Sequence, residues 1–277
     1  MQKKFKNLVI SGGGIKGIAI CGALNKLNEK IQLLSTIKTI VGSSIGSYIA
    51  FFLALGLTPH KMNLVFENVD FKELQEFDIK LFFEKYGFDE GNKFLSLVKA
   101  TMQTQNVNSN ITFAEFAKIA KYNIIIVGTN INKSEARYFS AEHTPDMEVI
   151  KALRISGGYP FAFTPVELDG DLYADGALIC PLASDIIPKK EKRKTLGIAI
   201  HRSFPRLDTG NLNTYIFSVV SCILDSLMDK NIKNLKHVLI LSYPLPAMSF
   251  HISKEEKIKL EEFGSNEAEK WLESMSK

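Results

Sequence analysis

Ile37-Lys38-Thr39-Ile40-Val41-Gly42-Ser43-Ser44-Ile45-Gly46 carries an apolar, β-rich run into a serine flanked by glycines, and an amphipathic pattern follows it. Strand, serine, helix is the order that a nucleophile elbow requires, a sharp turn that lifts a hydroxyl off the end of a parallel strand. Gly42 and Gly46 supply the small residues such a turn needs on either side of Ser44. The hydroxyl would then stand at a helix N-terminus, where partial positive charge favours an oxyanion. Ser43 and Ser47 are the neighbouring hydroxyls, but neither occupies the centre of G-x-S-x-G. The pentapeptide alone is a weak signal, and its meaning depends on two other stretches.

Gly12-Gly13-Gly14-Ile15-Lys16-Gly17 follows the strand-like run Asn7–Ser11 and precedes Ile20, Leu24, Leu27 and Ile31, which share one helical face. Consecutive glycines let backbone N–H groups converge on an anion that appears only during reaction. Asp175-Gly176-Ala177 comes after a hairpin whose turn is expected at Asp169-Gly170, and Gly176 would let a ligand or the elbow approach the Asp175 carboxylate. Asp169 and Asp171 are read as turn and hairpin residues, and Asp185 has no motif of its own. Gly12–Gly17 also fits G-x-G-x-x-G, but a dinucleotide site needs an acidic residue after the second strand, which here ends in Gly42-Ser43-Ser44. A phosphate-binding P-loop fails as well, because Ile18-Ala19 stands where Lys and Ser/Thr are needed.

With these residues in view the sequence resembles the patatin-like phospholipase family. Gly12–Gly17 looks like that family's glycine-rich oxyanion loop, Gly42–Gly46 like its elbow, and Asp175-Gly176-Ala177 like its Asp-Gly-Gly/Ala box. Ile111–Phe116 and Ala152–Ser156, followed by Pro160, Phe163 and Pro165, also read like family segments, and the resemblance runs in order from about Phe5 to Ile200. Two residues depart from the pattern. Ile45 is bulkier than the usual residue after the nucleophile and would narrow the acyl pocket, and Ala177 takes the place of the commoner glycine. The resemblance implies a three-layer α/β sandwich with a Ser44–Asp175 catalytic dyad. It places the oxyanion hole at Gly12, Gly13 and Gly14, with Gly17, Gly42, Gly46 and Gly176 as motif glycines. It implies a phospholipase A-type acyl hydrolase acting through an acyl-serine on phospholipid or other acyl-ester substrates, without metal or organic cofactor.

Composition agrees with an ordinary globular chain: 277 residues, 45% hydrophobic and 23% charged, enough to build a core. A net charge of +4 with no dense basic face gives no argument for nucleic acid. Cys21, Cys180 and Cys222 are odd in number and widely spaced, which reads as buried free thiols in a reducing compartment and no metal site. Met1–Lys6 is basic, but Asn7–Ile10 is too short for a signal-peptide core, and no apolar stretch is long enough to span a bilayer. A cytoplasmic protein with peripheral membrane contact is therefore expected; an activating protein partner stays open.

Apolar runs at Asn7–Ser11, Ile37–Val41, Asn123–Gly128, Thr195–Ile200 and His237–Ser242, separated by helical patterns, predict a mostly parallel sheet with helices on both faces. Ile45, Tyr48, Ile49, Phe52 and Leu53 form a stripe closed by Gly56 and Pro59, and Thr112 with Glu115 forms a capping box. Met147–Ile155 reads as a short helix. No repeat or linker interrupts the chain, so residues 1–277 are read as one domain. For the least regular segment, Asp70–Asn110, the resemblance implies a mobile helical insertion near the site, and its Phe71, Phe77, Phe82, Phe83 and Phe88 are the favoured candidates to meet lipid. Leu212–Met228 is read as a buried core helix in preference to a membrane-facing one, and is the second candidate for lipid contact. Lys16 is read as solvated rather than as a substrate-phosphate contact, and the run Lys189–Lys194 as a solvated loop rather than a headgroup contact. His60, His143, His201, His237 and His251 all lie outside the motifs; His201, after a strand, is the best candidate for a triad. Two other classes fit part of the pattern: a nucleotide-binding α/β module that uses only the glycine loop, and a lipid-binding protein without turnover.

Overall fold

A computed structural model describes residues 4–201 and 212–276, so the start of the basic run Met1–Lys6 lies outside the described residues. The chain begins with β1 (Asn7–Ile10), α1 (Gly17–Ile31), α2 (Leu33–Thr36), β2 (Thr39–Ser43), α3 (Ile45–Ala54) and α4 (Pro59–Asn68). The irregular segment follows as α5 (Ile79–Lys85), β3 (Gly87–Asp89) and α6 (Asn92–Thr104). Next come α7 (Phe113–Phe116), β4 (Asn123–Asn130), β5 (Glu135–Phe139), α8 (Val149–Ser156), β6 (Phe161–Phe163), β7 (Val166–Leu168) and β8 (Asp171–Asp175). The last elements are β9 (Thr195–Ile200), α9 (Leu212–Ile232), β10 (His237–Leu241) and α10 (Lys254–Ser276).

The main sheet runs β10-β9-β1-β2-β4-β8-β7, with β5 paired to β4. The pairs from β10 through β4 are parallel, whereas β5, β7 and β8 form an antiparallel edge. Parallel strands need both faces covered, and their side chains sort accordingly. Leu8, Ile10, Ile40, Ile126 and Ile198 enter a large core on one face, while Val9, Val41, Val127 and Ala199 enter a smaller core on the other. Three layers result, as the resemblance implies. The large face carries α1, with α10 packed so closely on it that a Cβ on Gly264 would stand 1.9 Å from the Ala19 carbonyl oxygen. The small face holds Leu182, Ile187 and Met228 of α9.

Local signals are met closely. Thr112 and Glu115 make the reciprocal capping box at α7. Asp169 and Gly170 both take positive φ, 53° and 81°, as a two-residue turn of this hand requires. Two expectations are corrected. Among the described side chains of α9, Tyr215, Val219, Cys222 and Ile223 are exposed and Val220 and Met228 buried, so the helix lies on the surface with one face inward. Its apolar content reflects two apolar faces, and Cys222 is accordingly not a buried thiol. In the irregular segment Phe71 and Phe88 are buried and Phe82 is half-buried, stacked on Phe88 at 4.4 Å; Phe77 and Phe83 are exposed.

Candidate active site

Between the end of β2 and the start of α3, Ser44 has φ 54° and ψ −130°, a conformation that side-chain-bearing residues rarely hold unless the surroundings enforce it. Its N–H donates to Ser156 Oγ at 3.0 Å, and its carbonyl accepts from the Ser47 hydroxyl at 2.6 Å. The flanking glycines are needed for room: a Cβ on Gly46 would stand 2.5 Å from the Ile10 carbonyl oxygen, and one on Gly42 would stand 2.3 Å from that of Gly46. The turn is wedged against β1, and no larger residue fits there. Ser43 is fully buried, and Ser47 spends its hydroxyl on Ser44.

Asp175 closes β8 and lies 1% exposed. Its Oδ2 accepts from Ser44 Oγ at 2.6 Å and its Oδ1 from the Ala177 N–H at 2.8 Å. The backbone is held as firmly: the Asp175 N–H donates to the Gly158 carbonyl, and its own carbonyl accepts from Thr129 Oγ1 at 2.8 Å. Burial pushes the carboxyl up to about 7, a rise only partly offset by the hydrogen bonds from Ser44 and Ala177. The rival aspartates have other partners: Asp171 accepts from Asn130 and Lys133, and Asp185 from Asn234. His201 does line the cavity beside Ser44, but its Nε2 pairs with Asp229 Oδ1 at 2.8 Å, and His143 Nδ1 pairs with the Ser140 hydroxyl.

The glycine loop lies against this pair. Gly12 N–H donates to the Pro181 carbonyl at 3.2 Å and Ile15 N–H to the Ala247 carbonyl at 2.9 Å. Between these two anchors, the Gly13 and Gly14 N–H groups have no acceptor among the described residues. Gly12 was expected as a third donor; with its N–H committed to Pro181, what it contributes is proximity, since a Cβ there would stand 3.0 Å from Ser44 Cβ. Lys16 is corrected too. The short 3-10 turn Gly14–Lys16 directs it inward, where it is 7% exposed, and burial pulls its ammonium down to about 8 against the opposing pull of Asp225.

These groups line a cavity of about 180 Å³. Ile45, Tyr48, Phe66, Phe71, Phe94 and Phe163 give it an aromatic lining, with Tyr48 and Phe94 edge to face at 4.8 Å. Lys16, Tyr159, Ser221 and Asp225 add polar groups, and the Tyr159 hydroxyl hydrogen-bonds Ser221. Ser221, Asp225 and the Leu245–Phe250 loop were not singled out from sequence; they carry no motif and reach the site only through the packing of α9 and β10. Among the described residues no cluster of His, Cys, Asp and Glu could hold a metal ion, and no helix is long and apolar enough to cross a membrane.

The model of the patatin-like phospholipase family matches residues 8–186, which include the glycine loop, the elbow and Asp175. The chain belongs to that family. It is 32% identical over 236 residues to the probable lipid hydrolase 463L of Invertebrate iridescent virus 6, covering 80% of this chain and 78% of the viral protein. It is 31% identical to R571 of Acanthamoeba polyphaga mimivirus over 285 residues, 95% of this chain and 92% of that protein. In fold it is similar to VipD of Legionella pneumophila (TM-score 0.61, 15% identity, 98% of this chain and 67% of VipD). It is also similar to ExoU of the Pseudomonas aeruginosa type III secretion system (TM-score 0.51, 18% identity, 98% of this chain), of which it spans about half, 53%.

Proposed function

We propose that this patatin-like protein is a lipid acyl hydrolase in which Ser44 attacks the carbonyl of a fatty acyl ester and Asp175 takes the serine proton. The observation that carries the reading is the 2.6 Å hydrogen bond between Ser44 Oγ and the buried Asp175 Oδ2. An ordinary aspartate is a weak base at neutral pH; one raised to about 7 by burial is matched to the task. As the tetrahedral adduct forms, its oxyanion is met by the N–H groups of Gly13 and Gly14 and by the first N–H of α3 at Ile45, which has no acceptor within the helix. Asp175 returns the proton to the departing alkoxide, leaving acyl-Ser44. Water, deprotonated by Asp175, then releases the fatty acid and restores the serine.

The lipid class is supported by the family, by the viral relative's name and by the aromatic lining of the cavity. Phospholipid is the proposed substrate, met by a peripheral protein at a membrane surface. The tight seating of α10 on α1 supports reading residues 1–277 as one domain. A nucleotide module is disfavoured because the glycine loop faces Ser44 and Asp175 rather than an open helix N-terminus.

The test is labelling with a fluorophosphonate, together with lipidomics of a mixed phospholipid extract exposed to wild type and to Ser44→Ala. Stoichiometric labelling and the release of free fatty acid should both vanish in Ser44→Ala. Labelling that survives Ser44→Ala and disappears in Ser43→Ala would move the nucleophile and break the reading. No labelling of the wild type, with the fold intact, would leave a lipid-binding protein without turnover.

A further inference from the structure

Two separate elements place apolar side chains in water beside the cavity. On α5 and its flanks, Phe77 is 69% and Phe83 75% exposed, with Ile79 and Tyr86 also outside. On α9, Tyr215 is 57% and Ile223 55% exposed, with Val219 between them, so the spacing 215, 219, 223 makes one outward stripe. The opposite face of the same helix is the roof of the catalytic cavity, through Ser221, Leu224, Asp225 and Met228. Seven large exposed apolar side chains in two short stretches are more than scattered surface residues, and isolated ones need no such explanation.

The segment between Tyr159 and Phe163 joins the two. Tyr159 and Phe163 line the cavity that contains Ser44. Phe161 between them is itself exposed and lies 6.5 Å from Phe82 of α5, while Tyr159 lies 5.9 Å from Phe217 of α9. The two helices therefore flank one short segment at the edge of the site.

We propose that α5, Phe161 and the outer stripe of α9 form a single rim that docks on a lipid bilayer and sets the catalytic cavity against it. The proposal rests on the acyl hydrolase reading for its occupant, since the ester to be cleaved lies at the level where such rings insert. The charges at the rim say how it docks. Lys80 pairs with Glu84, Lys85 with Glu90 and Lys93 with Glu76, and no Lys or Arg stands between Tyr215 and Met228. The rim presents no unbalanced basic patch among its described residues, so attachment runs on apolar burial rather than on attraction to anionic headgroups. Binding to phosphatidylcholine vesicles and to phosphatidylcholine–phosphatidylserine vesicles should be similar and should survive added salt.

The experiment measures co-sedimentation of the full chain with those two vesicle types, in a Ser44→Ala background so that no lipid is consumed. Ile79→Ser with Phe83→Ser on one side, and Val219→Ser with Ile223→Ser on the other, should each weaken partitioning about tenfold, a loss near 1.4 kcal/mol. The melting temperature should hold, because all four side chains are exposed. With Ser44 restored, turnover of a short soluble ester should stay within about twofold while turnover of vesicles falls. Unchanged binding in both pairs overturns the rim. So does binding that requires phosphatidylserine, or a wild-type dimer in sedimentation velocity that the substitutions dissociate, which would assign the face to a second copy. Rim-dependent binding without any hydrolysis by wild type would sink the enzymatic reading and leave the docking surface standing. Hydrolysis with rim-independent binding would do the reverse.

Discussion

At the floor of the cavity, the ends of β1, β2 and β8 meet one another and β4 backbone to backbone: Gly46 presses on the Ile10 carbonyl, Gly176 on that of Val127, and Asp175 is hydrogen-bonded through both carboxylate oxygens, its N–H and its carbonyl. At the roof, α9 reaches the site through Ser221, Leu224, Asp225 and Met228, α5 stands beside it with Phe82 6.5 Å from Phe161, and the two helices leave phenylalanine, tyrosine and isoleucine in water. The floor holds strained and desolvated groups to which the proposed reaction gives roles, and a closely packed surround with many hydrogen bonds is what keeps them so. The roof has no such burden, and its side chains suit contact with something outside the molecule. Substitutions in the floor should therefore damage chemistry or folding, and those in the roof should damage access.

The largest effect expected is from Ser44→Ala: a fall of about four to six orders of magnitude in turnover with the fold retained, read on a short ester and by circular dichroism. Asp175→Asn should cost nearly as much, about three to four orders, and also carries a stability signature. Between pH 3.8 and about 7 the folded chain holds a proton on Asp175 that the unfolded chain has released, so the stability tied to this group falls as pH rises through that window. Asparagine removes that slope, and the variant should melt higher than wild type above pH about 7. A lower melting temperature there would show that the hydrogen bonds from Ser44 and Ala177 outweigh the cost of burying the ionised carboxylate. In wild type, kcat/KM should climb as pH rises through about 7, since the base must be unprotonated.

Gly14→Ala comes next. Gly14 has φ +56° and a Cβ there would stand 2.0 Å from the Ala247 carbonyl oxygen, so the loop must shift and displace the N–H groups it aims. A loss of about 100- to 1,000-fold in kcat is expected, comparable to the loss of one oxyanion donor. His201→Asn should have the smallest effect, less than about tenfold, because its Nε2 holds Asp229 of α9 rather than Ser44. A fall of two orders of magnitude in a folded His201 variant would make the roof part of the chemistry and erase the contrast with the floor.

Much of the floor was legible in the chain. The run into Gly42, the stripe of α3, the Thr112–Glu115 box and the Asp169-Gly170 turn are patterns of residues within a few positions of one another, and each stands where the pattern put it. The roof was misread in part for a physical reason. Tyr215–Met228 is apolar on two faces, and hydropathy cannot tell a helix buried all round from one that roofs a cavity and faces outward. The phenylalanines of the irregular segment divided the same way: Phe88 is sealed under Phe77 and Phe82, whereas Phe83 has no strand or helix over it.

Sequence by itself determined the parallel strands of the main sheet, the helices that follow the glycine loop and the elbow, the Thr112–Glu115 cap, the Asp169-Gly170 turn, and the stretches that bear the serine, the glycines and the aspartate, because periodicity and capping depend on near neighbours. Tertiary structure alone decided that Ser44 and Asp175, 131 residues apart, meet at 2.6 Å, and that the carboxyl rises to about 7. It decided as well that the Gly12 N–H is committed while those of Gly13 and Gly14 are open, and that Lys16 turns inward. Solvent access, acidity and the availability of a donor are sums over every atom within reach. In this chain those atoms come from Pro181, Asp225 and Ala247, far along the sequence from the motifs they complete.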